Sequence, residues 1–268
     1  MDLSHAQHAF ITGGASGIGL GIAQALAKRG IAVTLADIDR EVLEEVVAAS
    51  KGQFRGQLMD TRQRQHWAAA KAEAERAAGP VDILVNNAGI APDGRELADM
   101  DPQSFDRIVA INLSGVFNGV SAFAAGMRAR RKGHIVNTSS MAGLAAQMVS
   151  RIGAYAATKY AVVALSEVLR IEMAPHEVGV SVLCPGMVAT NLMSTTLKLG
   201  GDFPPPGNAA AAMIPAASIL DSGTSAANVG EKVVQGIASN LPYIITHPET
   251  WPGVEQRMQA LAAAFATA

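Results

Sequence analysis

Cysteine occurs once, at Cys184, so no internal disulfide can form. The apolar run Val180-Ser181-Val182-Leu183-Cys184 predicts a small buried hydrophobe at that position, and a reducing compartment fits. No stretch supplies the ~18 consecutive apolar residues of a membrane span. The start Met1-Asp2-Leu3-Ser4-His5 lacks the positive charge and apolar segment of a signal peptide, so a cytoplasmic location is expected. Charge of one sign is also missing: a net charge of -2 with mixed signs throughout gives no basic stripe for nucleic acid and no polybasic face for anionic lipid. Histidines at 5, 8, 66, 134, 176 and 247 form no i,i+4 pair, and there is no Cys-x-x-Cys, so no metal site is expected. Internal repeats and a linker between independent cores are absent too.

What is present is 268 residues with 49% apolar content, enough for a large core in one domain spanning 1–268. Short apolar runs alternate with helical stretches: 9–11, then 17–29; 32–35, then 39–50; 54–59, then 62–78; 83–85, then 102–129. The series continues with 135–137, a helix over 153–174, the run 180–184, a helix near 225–239 and the run 243–245. Such alternation predicts an α/β, doubly wound Rossmann fold, a parallel sheet of about seven strands with helices on both faces. Gly30, Gly79-Pro80 and Gly133 punctuate helix ends. Residues 200–218, with Pro204-Pro205-Pro206-Gly207, break the rhythm inside a lobe at about 191–227 that reads as a flexible lid. Residues 251–268 read as an apolar-periodic helix (Val254, Met258, Leu261, Phe265) covering a pocket or a neighbour.

Directly after the first strand comes Thr12-Gly13-Gly14-Ala15-Ser16-Gly17-Ile18-Gly19, opening the first helix. Glycines let the backbone approach a pyrophosphate, and the helix N-terminus supplies free amides and partial positive charge; a simple loop is the alternative. Asp37, ending the second strand beside Ile38, can accept both hydrogen bonds of an adenosine ribose diol and repel a 2'-phosphate, favouring NAD over NADP. A helix N-cap is its other possible role, one that Asp39 also fits, and Arg40 is a cation that would tolerate the extra phosphate. Asp60-Thr61 after the third strand and Asn86-Asn87-Ala88-Gly89 after the fourth lie on the same carboxyl edge, where such folds bind ligands.

Tyr155 and Lys159, four apart on one helix, share a face. An ammonium beside a phenol favours its ionised form, so the pair is a candidate base; an ordinary surface Tyr and Lys is the alternative. Tyr160 points off that face and is expected to pack in the core, as are Trp67, Trp251 and Met141, Met148, Met187 and Met193; contact with an apolar substrate is the alternative for the four methionines, which flank the reactive segments.

Together these motifs resemble the short-chain dehydrogenase/reductase family in its basic single-domain form, from about residue 8 to 190. The matching elements are the Thr12–Gly19 turn, Asn86–Gly89, Asn112, Ser139-Ser140, Tyr155-x-x-x-Lys159 and Pro185-Gly186 with Thr190, all in family order. The resemblance implies that Tyr155 is the acid/base, that Lys159 lowers its pKa and holds the nicotinamide ribose, and that Ser140 orients the substrate oxygen. It implies that Asn112 distorts its helix so that a carbonyl holds a relay water, and that Val188 and Thr190 contact the nicotinamide carboxamide. Asn112 as the cap of a helix break is the alternative. Physics alone does not choose between Ser139 and Ser140, which point opposite ways at a strand end; the family pattern uses the second. Residues 141–154 are a longer spacer than compact members have, which implies an altered loop.

The expected activity is hydride transfer between NAD(H) and a secondary alcohol or ketone. A bulky hydrophobic substrate fits the apolar lobe residues Leu192, Met193, Leu197, Leu199, Phe203, Met213, Ile214 and Ile219, unless the lobe packs only on itself. An NADP-preferring carbonyl reductase and a non-catalytic nucleotide sensor are the competing readings. The resemblance also implies a homo-oligomer, dimer or tetramer, built by pairing the helices at 102–129 and 153–174, the first carrying Phe105, Ile108, Val109, Leu113, Val116 and Phe117.

Overall fold

A computed structural model describes residues 1–201 and 224–267. Seven strands form one sheet among the described residues, β1 (His8–Thr12), β2 (Ala32–Asp37), β3 (Phe54–Leu58), β4 (Ile83–Asn86), β5 (Gly133–Thr138), β6 (Val178–Cys184) and β7 (Tyr243–Ile245). Their order is β3-β2-β1-β4-β5-β6-β7, and every neighbouring pair is parallel. Strand order reverses between β1 and β4, which opens a crevice at their carboxyl ends. The expected fold class and strand count hold.

Helices cover both faces of the sheet, so that β1 and β5 are buried at every position. On one face α1 (Gly17–Ala27), α2 (Arg40–Ala49) and α8 (Ala226–Ala238) bury Ile22, Leu26, Leu43, Val229 and Val233 against Ile11, Val33 and Leu35. A Cβ on Gly21 would lie 2.1 Å from the Ala226 carbonyl oxygen, so α1 and α8 meet backbone to backbone. On the other face α3 (Arg64–Ala78), α5 (Gly115–Arg130) and α6 (Gly153–Met173) bury Trp67, Phe123, Met127 and Leu169 around Phe10. Phe10, Trp67 and Phe123 form an aromatic triangle with centroids 5.1–6.4 Å apart.

The long fourth helix is interrupted: α4 (Pro102–Val109) passes through a π turn, Ala110–Ser114, into α5. Gly115 N–H accordingly donates to the Ala110 carbonyl, five residues back. By length and composition the segment Pro102–Arg130 could cross a membrane, an 18-residue window of it reaching a mean hydropathy of 1.6; half of that window is buried in this domain, and Ile108, Val116, Phe123 and Met127 belong to the core. Gly133 does not end this helix. Arg131, at φ 51°, takes the left-handed capping position, and Gly133 begins β5.

Five packing expectations need correction, three of them because Met148, Met187 and Met193 are exposed. Trp251 opens α9 (Trp251–Ala266) at the surface and is 53% exposed. Tyr160 is half-buried outside the core: its hydroxyl accepts from Ala146 N–H at 3.4 Å, and the Arg257 guanidinium of α9 lies 5.0 Å from its ring centre. In the lobe, α7 (Leu192–Lys198) is described, whereas Phe203, Met213, Ile214, Ile219 and most of the 200–218 insertion lie outside the described residues.

Candidate active site

A cavity of about 860 Å³ occupies the carboxyl edge of the sheet. One end is the turn after β1. Gly13 is left-handed (φ 60°) and a Cβ there would lie 3.0 Å from Ala88 Cα, so the chain passes closest to the β4 turn where only hydrogen fits. Gly17 and Ile18 begin α1 at the cavity wall, and the Ser16 hydroxyl makes no cap bond. Unlike these, Gly19 lies behind the wall, where a Cβ would meet the Gly13 oxygen at 2.1 Å; its part is packing.

Asp37 faces the same cavity, and three backbone amides fix its carboxylate: Ala15 at 3.1 Å, Ile38 at 2.8 Å and Asp39 at 3.1 Å. Asp39 takes the α2 N-cap, accepting from Val42 N–H at 3.3 Å, which leaves Asp37 to the crevice. Arg40 pairs with Glu44 at 3.3 Å on the exposed side of α2 and is not part of the cavity wall. Asp60 and Thr61 also line the wall, but the Asp60 carboxylate is gripped by Arg62 at 2.6 Å. Burial alone would raise that carboxyl; Arg62 outweighs it and holds it below its ordinary value.

Asn87, Ala88 and Gly89 line the cavity. The Asn87 side chain is already committed, donating to the carbonyls of Thr12 (3.1 Å) and Gly13 (3.2 Å), so it straps the β4 turn to the β1 turn. Asn112 is wholly buried in the π turn and off the cavity wall. It accepts from Ile90 N–H at 2.8 Å and donates to Ile90 O at 3.0 Å, tying the helix break to the loop after β4.

Tyr155 and Lys159 stand one turn apart on α6 and both line the cavity. Lys159 is buried, its Nζ 5.4 Å from the Tyr155 ring centre and 3.0 Å from the Thr138 carbonyl oxygen. Burial pushes this amine down to about 8. Burial also raises the Tyr155 phenol above its ordinary value, opposed by a hydrogen bond with Ser140. The expected lowering by Lys159 is therefore not seen in this arrangement: the ammonium turns to Thr138 and desolvation penalises the phenolate.

The structure also separates the two serines. Ser139 is buried and donates to the Lys159 carbonyl at 2.7 Å, whereas Ser140 lines the cavity beside Tyr155. Pro185, Gly186, Val188 and Thr190 form the opposite wall. The long spacer after Ser140 makes two 3-10 turns, Met141–Gly143 and Ala146–Met148, and contributes Met141 and Met148 to the cavity wall, which Met187 and Met193 also line. Among the described residues no cluster of metal-ligating side chains occurs.

Sequence reasoning missed Arg62, Ile152, His247, Glu249 and Thr250, all on the wall. The last three follow β7 at the carboxyl edge, a position that topology could have flagged.

The comparisons agree with this geometry. Probable oxidoreductase EphD of Mycobacterium tuberculosis (strain ATCC 25618 / H37Rv) is 39% identical over 193 residues, 69% of this chain; the chain spans only 32% of that relative's length. C alpha-dehydrogenase of Sphingobium sp. (strain NBRC 103272 / SYK-6) is 32% identical over 262 residues, covering 95% of this chain and 85% of the relative. Among solved structures, a short chain dehydrogenase/reductase from Burkholderia phymatum in complex with NAD superposes with a TM-score of 0.90 at 30% identity, covering 98% of this chain and 97% of that one. A sequence model of short chain dehydrogenases matches residues 7–198, and the chain belongs to that family of oxidoreductases.

Proposed function

We propose that the protein is an NAD-dependent dehydrogenase that interconverts a bulky, hydrophobic secondary alcohol and its ketone, with Asn112, Ser140, Tyr155 and Lys159 as the working set. The observation that carries this reading is Tyr155 on the cavity wall beside Ser140, with Lys159 one turn further on. The crevice fits a dinucleotide: the β1 turn leaves no room for a Cβ at Gly13, the α1 N-terminus opens beside it, and the Asp37 carboxylate is held ready by three amides. NAD, when bound, supplies the hydride acceptor.

The chain's own residues do the rest. Ser140 holds the substrate oxygen, and Tyr155 takes the hydroxyl proton during oxidation or gives one during reduction. Lys159 places positive charge beside the phenolate, which stabilises it once the proton has left. Asn112 fixes the π turn and the Ile90 loop behind Lys159. Methionines 141, 148, 187 and 193 give the substrate end an adaptable apolar wall. Two features favour NAD over NADP, the Asp37 carboxylate and the pairing of Arg40 with Glu44; the Burkholderia relative was solved with NAD.

A homo-oligomer in the cytoplasm belongs to the same reading. Phe105 and Phe117 on α4 and α5, and Val168 and Ile171 on α6, are exposed apolar residues on the two helices expected to pair. Initial rates at 340 nm with bulky aryl and alicyclic alcohols, run with NAD and with NADP, test the proposal. Turnover with NAD that disappears in Tyr155→Phe while NAD still binds is the expected result; clearly higher efficiency with NADP, or an unchanged rate in the variant, defeats it.

A further inference from the structure

The peptide joining Pro185 to Gly186 is held along both edges. Its carbonyl accepts from Met141 N–H at 2.9 Å and from the Ser140 hydroxyl at 3.5 Å. Its N–H donates to His247 Nδ1 at 3.0 Å and to Thr246 Oγ1 at 3.3 Å. The imidazole also lies flat against Gly186, where a Cβ would come within 2.6 Å of its Cγ. We propose that His247 is a positioning residue for the Ser140 hydroxyl, acting through this one peptide plane. The proposal rests on the dehydrogenase reading above, which it extends to a residue at the end of β7.

Two observations explain why the residue is a histidine. The Gly186 N–H can only donate, so the clamp requires Nδ1 without a proton and the ring proton on Nε2; the Thr246 hydroxyl, 2.6 Å from Nδ1, then donates to the same nitrogen. Nε2 is buried without a partner among the described residues, an unfavourable state that a phenyl ring of similar shape would avoid. The feature a phenyl lacks is the acceptor facing Gly186. Hydrogen bonds to the two ends of one peptide polarise one another, so the bond from Gly186 to His247 strengthens the Pro185 carbonyl as an acceptor on the Ser140 side.

The test compares His247→Asn, whose side-chain oxygen can stand where Nδ1 stands, with His247→Phe, alone and combined with Ser140→Ala. Expected in His247→Phe is a roughly ten- to hundred-fold fall in kcat with NAD affinity little changed. His247→Asn should stay within a few-fold of wild type, and His247→Phe should add little in the Ser140→Ala background. Equal losses in the Asn and Phe variants, or a full further loss without Ser140, would overturn the proposal. Where His247→Phe does not fold, His247→Gln takes its place, since its amide reaches the Nε2 position and leaves the Gly186 N–H with Thr246 Oγ1 alone. Should the wild type turn over no alcohol, the dehydrogenase reading fails. His247 is then decided by nitrogen-15 NMR of its ring: an Nε2–H tautomer supports the clamp, and an Nδ1–H tautomer rules it out.

Discussion

Lys159 Nζ lies 5.4 Å from the centre of the Tyr155 ring and gives a hydrogen bond of 3.0 Å to the Thr138 carbonyl. The two side chains share a low-dielectric site that disfavours charge on either, so the phenol moves up and the amine moves down, to about 8. Proton transfer at Tyr155 therefore depends on a neighbour whose own charge is titratable close to working pH.

This sets the pH dependence. Reduction needs the protonated phenol, which dominates throughout the neutral range because its pKa is raised. Its kcat/KM should stay level through pH 6–7 and fall above about 8 as the free enzyme loses the Lys159 charge. Oxidation needs the phenolate and should rise from pH 6 towards 8. Initial rates in both directions check this; a reduction rate that climbs between pH 7 and 9 contradicts the assignment.

The same burial makes Lys159 a burden on the ligand-free fold. Its ordinary value is 10.5 and its folded value about 8, which is ~3 kcal/mol against folding while both states are charged. Below pH 8 the penalty is complete; between 8 and 10.5 the folded chain sheds the proton first and stability recovers. Lys159→Met should thus melt higher than wild type at pH 7 while losing turnover, and the gap should narrow as pH rises above 8. Calorimetric melting of both proteins across pH 7–9 measures it, and a variant less stable at pH 7 with no pH trend would refute the linkage.

The sheet, its helices and the cavity-lining motifs were legible because each depends on local pattern: strand runs of apolar residues, glycine at the β1 turn, Tyr155 and Lys159 one turn apart. The choice of Ser140 over Ser139 came only from the family pattern and not from the strand itself, since it is made by the Lys159 carbonyl, twenty residues from Ser139. Gly133 misled for a similar reason: Arg131 accepts the left-handed cap even though it carries a side chain. His247 looked like one more scattered histidine, because only the β6–β7 pairing brings the chain beyond Ile245 beside Gly186.

Asn112 should behave as a structural tie before anything else. Its amide satisfies both the N–H and the carbonyl of Ile90 in a fully buried setting. Asn112→Ala leaves both without a partner, for about 2–5 kcal/mol of destabilisation and a melting temperature lower by roughly 5–15 °C. Thermal denaturation tests this; a shift under about 2 °C would show that the π turn and the Ile90 loop hold together without the amide.

Asp37 gives the sharpest prediction about cofactor choice. Its carboxylate is fixed by the amides of Ala15, Ile38 and Asp39, so it cannot swing aside when a ribose carrying a 2'-phosphate approaches. With the diol hydroxyls of NAD it gains charge-assisted bonds, each worth about 1.5–3 kcal/mol. Asp37→Ala removes the attraction and the repulsion together. The KM for NAD should rise about ten-fold or more, and the ratio of kcat/KM for NAD over NADP should fall further than NAD efficiency alone. Because the substitution also frees the Ala15 amide, the ratio is the safer reading: a general loosening of the β1 turn weakens both cofactors alike and leaves it unchanged. An unchanged ratio would take Asp37 out of the adenosine site.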